Sequence, residues 1–507
     1  MKHTVISYLY DTVKRYAEKV VCTDENTSLS YQELWDKSDV VAGNLLSDSC
    51  SRKPIPVLMK KSCDVLSVMF GIIKAGCCYV IIDPLLPTER INSILNVLEA
   101  ERVVVGEQRN TASIPEHISV LQLENLYSSI TNEQKAQVEY TIDSICDTDP
   151  LYIMFTSGST GVPKGVVVNH RSVMDFIGYF VEKFQITSED VIGNQAPWDF
   201  DVSVKDIYST IKSGATMQII AKKYFSLPLQ LAELLENKQV TILIWAVSAL
   251  CILSSRNIFE YVKPTKIRKV IFSGEVMPVS QYNIWREQYP EAMFVNVYGP
   301  TEITCNCTYH ILDREYGEDE VLPIGKPFPN ERVLLLDEND RLIKEEMTNV
   351  RGEICVSGTA VTMGYYNAPE ETGKHFVQNP LNKAYREIIY RTGDLAYYNE
   401  EKQLCFLGRK DFQIKHLGHR IELSEIERAL HAIPGIRRSC CIYHEEEIVA
   451  FIEGNNSKEV GKELRKHLPA YMIPTKMIRV SEFSLNKNGK IDRTELIELL
   501  GRNNHDQ

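Results

Sequence analysis

Short apolar runs alternate with longer amphipathic stretches over the first two thirds of the chain. "PIPVLM" is followed by "DVLSVMFGIIKAG", "CYVIID" by "ERINSILNVLEA", and then comes "RVVVG". Strand-like runs that alternate with helical periodicity make βαβ units, so this stretch predicts a largely parallel sheet. The rhythm returns in "ATMQIIA", "LQLAELLENKQ" and "VTILIW", and again in "IRKVIFSGE", "SQYNIWREQYP" and "MFVNVYG". From about Leu334 the pattern shortens to alternating strands with turns ("RVLLLDEND", "GEICVSG", "AYYNEEKQLCFLGR"), which predicts a β-rich subdomain. A compact α+β tail follows "GRKDFQIKHLGHRIE", with "ELSEIERALHAI", "EIVAFIEG", "GKELRKHL" and "NKNGKIDRTELIELL". The expected fold is α/β: a large N-terminal body over residues 1–410, made of two mixed or parallel αβ sheet subdomains plus the β-rich one, and a small C-terminal lid over residues 411–507. A hinge is expected near Lys410 and Asp411.

Composition narrows the function without naming it. At 507 residues the chain is too long for one core, and ~150 residues per domain suggests about three folding units. A formal charge of -12 argues against nucleic acid as a general partner, because phosphate backbones select clustered Lys and Arg. The N-terminal "MKHTVISYLYDTVKRYAEKV" lacks the apolar core of a signal peptide and reads as an amphipathic helix. No run reaches the ~18 apolar residues needed to span a bilayer, so no membrane partner is expected. Thirteen cysteines without a CxxC pair read as reduced, packed thiols in a cytoplasmic protein. The "CNC" at Cys305 to Cys307 is not a zinc spacing.

The densest local chemistry is "MFTSGSTGVPKGVVVNH", Met154 to His170. Its "TSGSTG" joins two strand-like runs, and Asn169 is placed to cap the helix that opens with "HRSVMDFI". A Walker loop needs Gly, four residues and Gly-Lys-Ser/Thr at a helix start. Here Gly158 and Gly161 are three apart, Lys164 precedes Gly165, and a strand follows. The small residues still admit close approach of backbone N–H groups to an anion, while the hydroxyls of Thr156, Ser157, Ser159 and Thr160 and the ammonium of Lys164 add donors and charge. Taken alone, the loop is an anion site suited to polyphosphate.

Six further stretches appear in order: "SYQEL", "KAGCCYVIIDPLLPTER", "NVYGPTE", "YRTGDLA", "GRKDFQIKHLGHRIELSEIE" and "NKNGKIDR". With the loop they resemble the motifs of the adenylate-forming superfamily, whose members include acyl-CoA synthetases, luciferases and the adenylation domains of nonribosomal peptide synthetases. "NQAPWDFDVSVKDIY", "GEVMPVS" and "GRKDFQIK" are similar to stand-alone D-alanine:carrier-protein ligases. The resemblance implies an enzyme that uses ATP and Mg2+ to convert a free amino acid to its adenylate, releases pyrophosphate, and passes the acyl group to a phosphopantetheine thiol on a separate carrier protein. It also implies a mobile lid swinging about Asp411. By the same resemblance Lys490 bridges carboxylate and α-phosphate, Glu302 is the metal ligand, and Thr301 meets phosphate. Tyr298, with its neighbours Asn296 and Gly299, lies against the nucleotide, Asp394 accepts from the ribose hydroxyls, and Arg409 supports the sugar.

Asp201, in "WDFD", occupies the place that pairs with a substrate α-ammonium in the amino-acid-activating branch. Val202, Lys205, Ile244, Ile271, Ser273, Gly274, Val297, Cys305 and Asn306 would line the side-chain pocket on the same footing. Lys205 and Ser273 depart from the D-alanine ligases, which carry an apolar residue and Cys there. An inward Lys205 favours glutamate, then aspartate; a Lys205 that reaches out to solvent leaves a small pocket for alanine or a similar residue. Alternatives are an acyl-CoA synthetase, a D-alanine:carrier-protein ligase of cell-wall modification, and a non-enzymatic ATP- or amino-acid-binding sensor.

Overall fold

Each of the two βαβ runs closes into its own sheet. In the computed structural model, which describes residues 3–47, 52–106, 114–157, 162–317, 319–410, 413–454, 460–484, 491 and 493–503, six strands lie in the order Ser119–Gln122, Arg102–Val105, Pro54–Leu58, Cys78–Ile82, Pro150–Thr156 and Lys164–Asn169. Only the last pair is antiparallel. That pair flanks the glycine-rich loop, as the sequence predicts, and Asn169 caps the helix His170–Lys183 by accepting from Ser172 N at 2.8 Å.

The second sheet has nine strands. Its parallel centre runs Met293–Tyr298, Lys269–Ser273, Ile242–Ala246, Val191–Asn194 and Thr216–Ile219. Of these, Ile242–Ala246, Lys269–Ser273 and Met293–Tyr298 are largely apolar and buried, as strands covered on both faces must be. One hydrophobic cluster reaches from Ile55, Tyr79 and Tyr152 in the first sheet to Ile244, Ile271 and Val295 in the second. The two subdomains therefore share a core.

The β-rich subdomain is built on Glu331–Leu336, Gly352–Gly358 and Ile388–Tyr398, with Leu404–Arg409 paired to the last. Beyond it, the hairpin Gln413–His416 with His419–Glu422 precedes a three-stranded sheet of Ile436–His444, Glu447–Gly454 and Lys476–Val480. This small C-terminal domain has apolar clusters of its own, one around Ile421, Ile426 and Leu464 and one around Phe451 and Phe483. Among the described residues no helix is long and apolar enough to cross a membrane.

The contact of the β-rich part with the body at Asp175 is braced by Glu331. Its Oε1 accepts from Ala360 N at 2.9 Å and from Thr359 Oγ1 at 3.2 Å, and Thr359 also donates to Asp175. Its Oε2 is buried without a partner. Burial pushes the Glu331 carboxyl up to about 8, against the Ala360 and Thr359 hydrogen bonds that pull it down. A carboxyl raised in the fold stabilises it below the unfolded value and loses that contribution as pH rises through the folded one. Glu331→Gln should therefore match the wild type in denaturant melts near pH 4.5 and exceed it progressively toward pH 8.

Candidate active site

Parallel strands present their carboxyl ends to one side of a sheet, where open α/β folds bind ligands. The register pairs Ile244 with Ile271 and Ala246 with Ser273, and Ile271 with Val295, so the ends of three strands lie level. Ile244, Ile271, Val297 and Cys305 are buried there and form an apolar floor. Gly299 allows the chain to fold back over it: a Cβ would fall 2.5 Å from Asn306 Cα and 2.7 Å from the Cys305 carbonyl. Gly274 lies in the left-handed region at φ +94°.

Onto this floor comes the helix Ser203–Ser213. Lys205, in its first turn, has no accessible surface, and its Nζ donates to Ser273 Oγ at 3.0 Å and Asn306 Oδ1 at 2.8 Å. The outward orientation left open by the sequence is excluded. Asp201 and Val202 are buried just before the helix. Burial holds the Asp201 carboxyl above its ordinary range, opposed by a hydrogen bond with the Thr301 side chain and by the charge of Lys205. The pocket therefore carries a carboxylate and an ammonium over an apolar floor.

The nucleotide side is built around two further carboxylates. Glu302 Oε1 accepts from Tyr365 OH and Oε2 from Arg420 Nη1, each at 2.7 Å. Burial pushes the Glu302 carboxyl up, but Arg420 and Tyr365 outweigh it and hold it below its usual range. Asp394 accepts from Arg409 on one oxygen and from Tyr298 OH on the other. Each oxygen keeps a second lone pair, so Asp394 can still accept from a ligand. Lys164 opens its strand paired with Glu371 at 2.5 Å, its ammonium 5.5 Å from the Tyr365 ring centre. Asn296, expected beside the nucleotide, gives its amide to the Pro323 carbonyl at 2.9 Å. Thr156 and Ser157 are buried at the end of their strand. Gly158, Ser159, Thr160, Gly161, Asp411 and Lys490 lie outside the described residues.

Sequence reasoning missed the residues that close the site. The hairpin 413–422 inserts Arg420 against Glu302 and sets the Lys415 ammonium 5.5 Å from the Tyr298 ring centre. Ser157 Oγ donates to the Arg420 carbonyl at 2.8 Å, Gly418 N to Glu275 Oε1 at 3.0 Å, and Arg90 to Glu425 at 2.8 Å. The signal was present in "QIKHLGHRIE", where a turn separates two basic residues, but nothing in the pattern says which carboxylates they meet. Two open clefts, of 780 and 850 Å3, lie along the β-rich subdomain; only the second touches this site, at Tyr365.

No cluster of three or more metal-ligating side chains occurs among the described residues. Glu302 is a buried hard-oxygen donor whose partner Arg420 is bonded to Ser157, at the end of the strand that leads into the glycine-rich loop. One carboxylate completed by substrate phosphates is how Mg2+ is commonly held, so the residues fit that ion.

Comparison with known proteins agrees with this geometry. The model of the AMP-binding enzyme family matches residues 9–366, and that of the AMP-binding enzyme C-terminal domain matches residues 425–490. The D-alanine–D-alanyl carrier protein ligase of Bacillus licheniformis is 32% identical over 523 aligned positions, covering 97% of this chain and 99% of that protein. Gramicidin S synthase 2 of Brevibacillus brevis is 31% identical over 509 positions, covering 98% of this chain, which spans only 11% of that protein's length. In fold, the chain is similar to the Vibrio cholerae adenylation domain AlmE, solved with glycyl-adenosine-5′-phosphate: TM-score 0.84 at 20% identity, covering 99% of this chain and 98% of that one.

A buried polar network supports the loop that carries Asp201 and Lys205. Asn194 Nδ2 donates to Asp206 Oδ2 at 2.5 Å, and its Oδ1 accepts from Trp198 Nε1 at 3.1 Å and Lys61 Nζ at 3.0 Å. Burial pushes the Asp206 carboxyl up and the Lys61 ammonium down, both to about 7. Removing the shared amide leaves buried groups unpaired, at ~1–3 kcal/mol for each group so exposed. Asn194→Ala should lower unfolding free energy by about 2–3 kcal/mol in denaturant titrations, and raise the KM of the acyl substrate more than that of the nucleotide.

Proposed function

The chain belongs to the AMP-binding enzyme family of adenylate-forming ligases, and from that premise we propose that it activates an acidic α-amino acid, glutamate before aspartate, and transfers it to the phosphopantetheine thiol of a carrier protein. The observation that carries the substrate choice is Lys205, buried with a hydroxyl and an amide oxygen as its partners. Asp201 and Asp206 act on Lys205 through space only, and a buried ammonium that lacks a bonded counter-charge is costly. A substrate side-chain carboxylate supplies that charge, while Asp201 receives the α-ammonium. Fatty or aryl acids have no ammonium to offset the buried Asp201, which disfavours the acyl-CoA synthetase reading.

In the first half-reaction a carboxylate oxygen of the amino acid attacks the α-phosphorus of ATP, an O–P bond forms, and the bond to the β-phosphate breaks to release pyrophosphate. Negative charge builds at the α-phosphate, so cations aimed there lower the barrier. Lys490 has that role in this reading, with the glycine-rich loop and Lys164 around the leaving phosphates. Asp394 and Arg409 fix the ribose, and Tyr298 lies beside the base. Mg2+, held at Glu302, would neutralise the pyrophosphate. In the second half-reaction the thiol sulfur attacks the acyl carbonyl, the thiol gives up its proton, and AMP departs. The two steps need different groups at one site, which a lid turning at Asp411 between residues 1–410 and the remainder provides.

Amino-acid-dependent pyrophosphate exchange tests the substrate assignment. Glutamate should be the best of a panel, with aspartate second. Lys205→Met should cost glutamate about a hundredfold in kcat/KM and leave alanine nearly unchanged. Activity with alanine and none with either acid would refute the Lys205 argument; a response only to acids without an amino group would refute the Asp201 argument. Separately, Lys490→Ala should abolish adenylate formation yet spare thioester formation from supplied adenylate, and equal loss of both would contradict its role.

A further inference from the structure

Each oxygen of Glu302 already accepts one hydrogen bond, and one of the two donors is a cation. Tyr365 OH binds Oε1 and Arg420 Nη1 binds Oε2, each at 2.7 Å. Arg420 comes from the hairpin 413–422 of the C-terminal domain, and several contacts hold it in place. Its Nε donates to Gln413 Oε1 at 2.5 Å and its carbonyl accepts from Ser157 Oγ at 2.8 Å, while Gly418 N is bonded to Glu275 of the body at 3.0 Å. Lys415 of the same hairpin sits over Tyr298, whose hydroxyl is bonded to Asp394. The hairpin thus carries two positive charges to the carboxylates that the proposed function assigns to metal and ribose.

We propose that Arg420 substitutes for the metal ion at Glu302, so that docking of the hairpin and binding of a divalent cation at that carboxylate exclude one another. The proposal rests on the reading of Glu302 as the metal ligand. A guanidinium bonded at 2.7 Å to Oε2 places its charge where a divalent ion would have to approach, and two cations a few ångströms apart repel strongly in an enclosed site. With the hairpin docked, Arg420, Lys415 and Arg409 gather beside Glu302, Asp394 and Asp201, cations that suit a nucleotide monophosphate without metal. With the hairpin withdrawn, Glu302 Oε2 loses the competing guanidinium and its charge, which leaves the carboxylate open to the ion. Binding linkage is reciprocal: if Arg420 weakens the metal, the metal must loosen the hairpin. Glu302 would then become available to Arg420 once pyrophosphate and its ion were gone, and exchange of one cation for another would order the two half-reactions.

The test uses the full-length chain and the metal alone, with Mn2+ as the probe. Electron paramagnetic resonance titration should show Arg420→Gln binding Mn2+ about tenfold more tightly than the wild type, with Arg420→Lys near the wild type because it keeps the charge. In the wild-type protein, saturating Mn2+ should raise amide hydrogen exchange across residues 413–422, a readout that needs no variant to fold. Equal Mn2+ affinity in wild type and Arg420→Gln, with hairpin exchange indifferent to Mn2+, overturns the proposal. A Glu302→Gln variant that binds Mn2+ like the wild type overturns instead the ligand assignment beneath it, so the two failures are distinguishable.

Discussion

Uncompensated charge cannot remain buried, and this constraint organises the whole active-site region. Asp201, Glu302 and Asp394 are all enclosed, at 6%, 1% and 0% exposure. Ionised carboxylates at such positions need cations or several hydrogen bonds around them. The fold supplies Arg409 for Asp394, Arg420 for Glu302 and, close to Asp201, Lys205. Two of these cations come from the adjoining β-strand or the pocket helix, and the third comes from a different domain. In the proposed reading, ligand binding here would be an exchange of charges: an ammonium for Asp201, a carboxylate for Lys205, a metal for Arg420.

The apolar architecture makes that exchange workable. Parallel strands buried on both faces hold Ile244, Ile271 and Val297 rigidly beneath the pocket, so the polar groups above them are placed by a close-packed scaffold. The network of Asn194, Lys61, Asp206 and Trp198 fixes the segment that delivers Asp201 and Lys205. The C-terminal domain has its own apolar clusters, and it meets the nucleotide side through discrete polar contacts such as Ser157 with Arg420, Glu275 with Gly418 and Glu425 with Arg90. Contacts of this kind can be broken and remade without unpacking a core.

Periodicity alone made much of this legible. The strand and helix order of both sheets, the antiparallel pair flanking the glycine-rich loop and the Asn169 cap all follow from local pattern. Local pattern cannot specify a side chain's direction when both directions are chemically reasonable. Lys205 is the clear case: a lysine in the first turn of a helix reaches solvent by default, and only the approach of Ser273 and Asn306, 68 and 101 residues away, turns it inward. Arg420 and Lys415 were hidden for the same reason. Their partners, Glu302 in a short 3-10 turn and Tyr298 on a strand, lie more than a hundred positions back, so no window of sequence contains the interaction. Asn296 lies inside a matching motif, and its amide donates to the Pro323 carbonyl, a partner that the motif does not announce.

The pairing of Asp201 and Lys205 as the two ends of one substrate is the central claim. It is tested most directly by a crystal structure with a non-hydrolysable glutamyl-adenylate analogue. The α-ammonium should lie on Asp201 and the side-chain carboxylate on Lys205 Nζ, within the same reach as Asn306 and Ser273. A bound analogue whose side chain points elsewhere, with Lys205 still satisfied by Ser273 and Asn306 alone, would contradict it.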